Sequence, residues 1–170
     1  MNFKLYVGIG ILVLALTPDF SHAASTVYVV DVEKVLTRSR SAQAGQAHVK
    51  EARKALEQGF EQLRQAYDKQ PEESRQRILN DGANALSRQL ALEQQAVNSV
   101  VANMMMEEIR AWRQANKADL VIAKQNLLDA SEAVDITDVI IQNMDTKTPK
   151  FADLPKVSVN PPGAEEQQKK

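Results

Sequence analysis

The 170-residue chain has no cysteine, which excludes disulfides, thiolate metal ligands and cysteine nucleophiles. It also lacks an excess of positive charge, since 21 Lys and Arg stand against 22 Asp and Glu at a net charge of −1. The electrostatic term that carries general nucleic-acid affinity is therefore missing, and no nucleic-acid partner is expected. Aromatic residues make up only 5%, and glycine and proline number six each, so a large rounded core is not expected. What the chain has instead is a middle dense in Ala, Gln, Glu, Leu, Arg and Lys, the composition of long helices and coiled coils.

The one long apolar run, Leu5 to Thr17, follows Lys4 and precedes Pro18 and the small-residue pattern Ser21-His22-Ala23. It is shorter than the roughly 20 residues needed to span hydrocarbon, and it contains two glycines. Residues 1–23 read as a signal peptide cleaved after Ala23, which makes the mature protein an exported, soluble chain beginning at Ala24.

Little catalytic chemistry is left once the leader is set aside. His48 is then the sole histidine and lies in the helical run Gln46 to Lys50, where it reads as a solvated surface residue rather than a member of a triad. The acid pairs Glu72-Glu73 and Glu107-Glu108 are adjacent, whereas shared work on a helix favours i, i+3 or i, i+4 spacing; they read as solvated charges. There is no GxGxxG, P-loop, HExxH or EF-hand loop. The chain is not expected to be an enzyme, and no catalytic residue, metal ligand or cofactor is assigned.

Organisation is clearer than chemistry. Thr26 to Val30 is β-branched and aromatic and reads as a strand; Asp31 then caps a short helix over Val32 to Thr37. From Ala42 to about Gln70 apolar residues recur at Val49, Ala52, Leu56, Phe60, Leu63 and Tyr67, the period of one helical stripe. Gln70-Pro71-Glu72-Glu73 breaks that stripe and starts another, Leu79 to Trp112, ending near Asn116. Two antiparallel helices follow, about 43 Å and about 69 Å long, and the longer must pack on something else at its end. Asp119 to Ala123 is a second strand-like run, Asn126 to Leu128 a weaker third, and Thr137 to Met144 a short helix capped by Asp135 or Thr137.

The expected fold is α+β and mostly α. A helical hairpin, 42–118, stands on a β-rich body made of 24–41 and 119–145, and 146–170 is a flexible tail. Its structured part, Thr26 to Arg38 and Asp119 to Asp145, has 40 residues, a size at which a lone core is marginal, so oligomerisation is expected to complete it. Val27, Val29, Leu120, Ile122, Ile136, Val139 and Ile140 are the expected buried residues of this oligomerisation body, with Trp112 at the hairpin root; Met104, Met105 and Met106 are gap fillers there, with Met104 the one favoured for the core and Met106 facing elsewhere.

In this order the blocks resemble the Skp/OmpH family of periplasmic chaperones. The residues that carry the resemblance are Val-Tyr-Val-Val-Asp-Val-Glu-Lys-Val-Leu after the leader, the polar link Thr37 to Gly45 and the heptad-like hairpin. They continue with Lys117-Ala118-Asp119-Leu120-Val121-Ile122 and Val134-Asp135-Ile136-Thr137-Asp138-Val139-Ile140. The resemblance implies a homotrimer with three hairpin arms around a cavity, in the periplasm, that holds unfolded outer-membrane proteins without ATP. It departs from the family at the tip, where Arg64, Lys69, Arg75, Arg77 and Arg88 are nearly balanced by Asp68, Glu72, Glu73 and Asp81, so no lipopolysaccharide-binding residues are carried over. The alternative is a structural coiled-coil protein of the envelope without chaperone activity.

Two further sets of residues are singled out. For a turn between Gln70 and Pro71, Leu63 opposes Ile78 and Leu56 lies near Leu86, while Phe60, Tyr67 and Leu92 flank that seam and are candidates for client contact. Gly59 and Gly82 fall at the same height and are candidates for a hinge, with close helix approach as the alternative.

Overall fold

The structure, a computed structural model, describes Ser25 to Asn160. The leader, 1–23, and the end of the expected tail, 161–170, lie outside the described residues. The chain is mostly helical with one small sheet. Strand β1 (Val27–Val30) leads into helix α1 (Val32–Arg38), then α2 (Arg40–Ala66), α3 (Glu72–Ala115), strand β2 (Leu120–Ala123) and α4 (Thr137–Asp145).

Each boundary has a local cause. Asp31 caps α1 by accepting the Lys34 N–H at 2.8 Å, as expected. The polar link expected over Thr37 to Gly45 shrinks to one residue: Ser39 breaks α1 and at once caps α2, its Oγ accepting the Ala42 N–H at 3.2 Å. Pro71 precedes the first turn of α3, where Glu72 and Glu73 complement the helix dipole. At the far end Lys117 takes a left-handed φ of 52°, with Ala118 N–H bonding to the Arg113 carbonyl at 3.0 Å. That arrangement satisfies the last carbonyls and turns the chain straight into β2.

The two strands pair in parallel, Val27 opposite Leu120 through Val30 opposite Ala123. The whole helical pair is thus the crossover between them. On its other side β1 bridges to Asp135, and Ile136 N–H bonds to the Val29 carbonyl at 2.9 Å. The weak third strand expected at Asn126 to Leu128 is not formed: Lys124–Asn126 is a 3₁₀ turn, and Leu128 is fully exposed.

Helices α2 and α3 pack antiparallel. The near approaches are Gly45 to Val97 and Val101, and Gly82 to Leu63 and Phe60, while Leu56 and Leu86 line one groove. The register agrees with the expected pairing to within about a turn. Gly45, which the stripe analysis passed over, is a third close approach on these helices.

The core sits at the base. Val30, Val35, Ala42, Val101, Met105, Ile136, Ile140 and Met144 form one buried cluster, with Tyr28, Trp112 and Phe151 against it. Of the three consecutive methionines, Met105 is the buried one; Met104 is half-buried and Met106 exposed. The base is also tied by polar contacts. Asp31 N–H donates to Thr137 Oγ1 at 2.8 Å, Arg40 N–H to Asp145 Oδ1 at 2.7 Å, and Lys34 Nζ to Asp138 at 2.6 Å.

Three sequence expectations are corrected here. Glu108 is not a solvated charge: it is 5% exposed and paired with Lys147, which the chain carries back across α3 after α4. His48 is half-buried, its ring 5.0 Å from that of Phe151. Finally, Phe151 and Val157, placed by sequence in a flexible tail, lie along α2. The reason is local: prolines bar a helix there, yet Phe151, Val157 and Val159 are apolar enough to be drawn onto the hairpin.

Candidate functional site

Among the described residues there is no cluster of His, Cys, Asp or Glu able to hold a metal, and no helix is long and apolar enough to cross a membrane. The candidate sites are therefore surfaces, and they fall at the base, in the seam and at the tip.

At the base the seven residues expected to be buried by oligomerisation divide in two. Val29, Ile136 and Ile140 are buried within a single chain, at 2%, 4% and 0% exposure. Val27, Leu120 and Val139 remain exposed, and Ile122 is half-buried. Val27 and Leu120 face each other in the strand register, so their side chains form one apolar spot. Beside it β2 pairs on one side only among the described residues, leaving an edge of unpaired N–H and C=O groups. Such an edge flanked by apolar side chains is a template for pairing with another chain.

Behind this edge Asp135 ties two segments together. Its carboxylate accepts from Lys124 Nζ at 2.6 Å and from Thr137 N–H at 2.9 Å. Burial raises its pKa, but the Lys124 and Thr137 hydrogen bonds outweigh this and hold the group down to about 2. Asp135 thereby fixes both the loop after β2 and the start of α4.

Phe60, Tyr67 and Leu92 are not brought into one patch. Phe60 is half-buried in the seam near Gly82, and Tyr67 closes α2 with its hydroxyl donating to the Asn160 carbonyl at 2.7 Å. Leu92 is 59% exposed on α3. A cavity of about 330 Å³ opens where α1, α2 and α3 meet, lined by Leu36, Ala42, Val97 and Val101. Sequence reasoning missed it because it depends on how α1 crosses the pair.

Gly59 and Gly82 both sit at close approaches. A Cβ on Gly82 would come within 2.3 Å of Leu63 Cδ2, and one on Gly59 within 2.3 Å of Val157 Cβ. The two glycines thus face different neighbours. At the tip two of the basic residues are paired with acids, Arg75 with Asp68 and Glu72, and Arg64 with Glu61 at 2.9 Å. The hydrogen bond from Arg64 lowers the Glu61 pKa and raises that of Arg64.

These features define a class: a long helical pair inserted as the crossover of a small parallel sheet, with an open apolar edge at its base. No protein-family model matches the sequence. No curated protein matches it either. Among solved structures the chain is similar to a crystal structure of a Caulobacter crescentus protein assigned as an OmpH-like outer membrane chaperone. The two are 18% identical with a TM-score of 0.49, over 91% of this chain and 98% of that one.

Proposed function

We propose that this chain is an ATP-independent holdase chaperone of the Skp/OmpH type, acting in the periplasm on unfolded outer-membrane proteins. The observation that carries the reading is the base: a two-stranded sheet left open at β2, with Val27 and Leu120 exposed beside it, at the root of a long helical pair. An incomplete sheet of this kind supports assembly through β2, and the proposed assembly is a homotrimer whose helical pairs are arms around a cavity. Unfolded barrel proteins expose strands with alternating apolar residues that would otherwise pair edge to edge, and enclosing arms keep them apart. Release without an energy source requires many weak contacts, which suits arms with few large aromatics. Phe60, Tyr67 and Leu92 are proposed client contacts, with Leu92 the most accessible of them.

The test is dilution of a urea-unfolded β-barrel membrane protein into buffer containing a molar excess of the purified mature chain. Light scattering should be suppressed, and a mass measurement of the same sample should give a trimer beginning at Ala24. A stable trimer that leaves aggregation unchanged would move the assignment to a structural coiled-coil protein of the envelope.

A further inference from the structure

After Lys147 the chain runs extended along α2 towards the tip. Phe151 lies near Gly45 and over the His48 ring, Val157 lies on Gly59, and Asn160 reaches Tyr67. From Pro155 the inward-facing residues alternate: Pro155, Val157 and Val159 are half-buried, while Lys156, Ser158 and Asn160 are exposed. This is the period of an extended strand laid on a surface.

The fit is made by missing side chains on α2. A Cβ on Gly59 would fall 2.3, 2.4 and 2.6 Å from three carbons of Val157, so any other residue there would close the groove. The attachment is apolar and nearly free of hydrogen bonds. Among the described residues, the one hydrogen bond holding 148–160 to the rest of the chain is that from Tyr67 to the Asn160 carbonyl. The His48 Nε2 beside Phe151 is buried with no hydrogen-bond partner among the described residues, a cost the docked segment does not relieve. A segment held by a few alternating apolar side chains, with its backbone unengaged, can be exchanged for another of the same pattern.

We propose that the groove running along α2 from Gly59 to Tyr67 is a binding site for extended polypeptide with apolar side chains at every second position, occupied in cis by Pro155 to Asn160 until a client segment displaces it. This deepens the holdase reading and rests on it for the identity of the client. Lys147, paired with the buried Glu108, keeps the cis segment tethered at the base when its distal part leaves.

A labelled peptide spanning Pro149 to Asn160 is the probe, and binding is followed by fluorescence anisotropy on the full mature chain. In wild type the tethered segment competes at high effective concentration. The variant Phe151→Ser/Val157→Ser/Val159→Ser, which frees the groove, should therefore bind the peptide about tenfold or more tightly than wild type. Adding Gly59→Leu to that variant should abolish binding. Equal peptide affinity for wild type and the triple variant, or binding that survives Gly59→Leu, would overturn the proposal. Loss of the helical circular-dichroism signal in the triple variant would overturn it too, because the segment would then be a fixed part of the fold. Peptide binding by a chain that fails to hold an unfolded barrel protein would remove the holdase reading and leave the groove standing. Holding without peptide binding would do the reverse.

Discussion

The base and the distal half of the helical pair are built from similar residues and packed very differently. In α3 the fully buried residues are Val97, Val101, Met105 and Glu108, all near the base, and from Glu72 to Ala96 none is buried. In α2 burial ends at Gly59. The base gains three further neighbours, the sheet, α1 and α4, whereas the distal helices have only each other and one extended segment. Opening free energy follows buried apolar contacts, so the base should be the most protected part of the molecule and the tip the least. The proposed holdase reading calls for that gradient: a root that holds its shape and an end that yields.

The largest expected effect tests the gradient directly. Ile140→Asp puts an unpaired carboxylate at a position with 0% exposure, a cost of several kcal/mol that is comparable with the whole stability of a small domain. Leu92→Asp, at 59% exposure in the distal half, should change stability by no more than about 0.5 kcal/mol. Urea unfolding followed by circular dichroism compares the two, and similar losses would erase the distinction between the regions.

Leu120→Asp separates folding from assembly within the base. Leu120 is 49% exposed in one chain, so the charge should leave the monomer folded while breaking association through β2. Light scattering should report a monomer with an unchanged helix signal; an oligomer of unchanged mass would show that β2 is not the contact. Val29→Asp does not make this distinction, since Val29 is 2% exposed within a single chain and its loss would unfold the base itself.

A pH titration sharpens the comparison further. The folded Asp135 carboxyl, at about 2, lies below the ordinary 3.8, so its contribution is complete above 3.8 and is lost as pH falls from 3.8 towards about 2. Across that window the urea midpoint of wild type should fall more steeply than that of Asp135→Asn. Parallel curves would mean that the Lys124 and Thr137 contacts do not stabilise the base.

The smallest effect concerns the candidate hinge at Gly82. Gly82→Ala gains roughly 0.5 to 1 kcal/mol of helix propensity, and its Cβ crowds Leu63 Cδ2, the free end of a side chain, while meeting Phe60 at ordinary contact distance. We expect a slight net stabilisation and slower hydrogen exchange around this level; a destabilised variant would assign Gly82 to close packing instead. Gly59 cannot serve in the same test, because a Cβ there meets Val157 and would report on the docked segment.

Much of the architecture is legible in the order of residues because it is governed by local rules. The stripe from Val49 to Tyr67, the break at Pro71, the cap at Asp31 and the β-branched run at Val27 each act within a few residues, and the structure places a boundary at or near each one. The register of α2 on α3 also follows, since a tight turn leaves two periodic stripes few ways to meet. What the residues could not disclose is which polar or apolar groups find partners far away in the chain. Glu108 looks like any surface acid until Lys147 arrives beside it, and Ser39 and Ser41 look like a polar link until α4 covers them. The segment from Phe151 to Val159 is too sparse in apolar residues to order itself. Only the tertiary structure decides its place, because the surface that receives it exists once α2 is folded with Gly59 open beneath Val157.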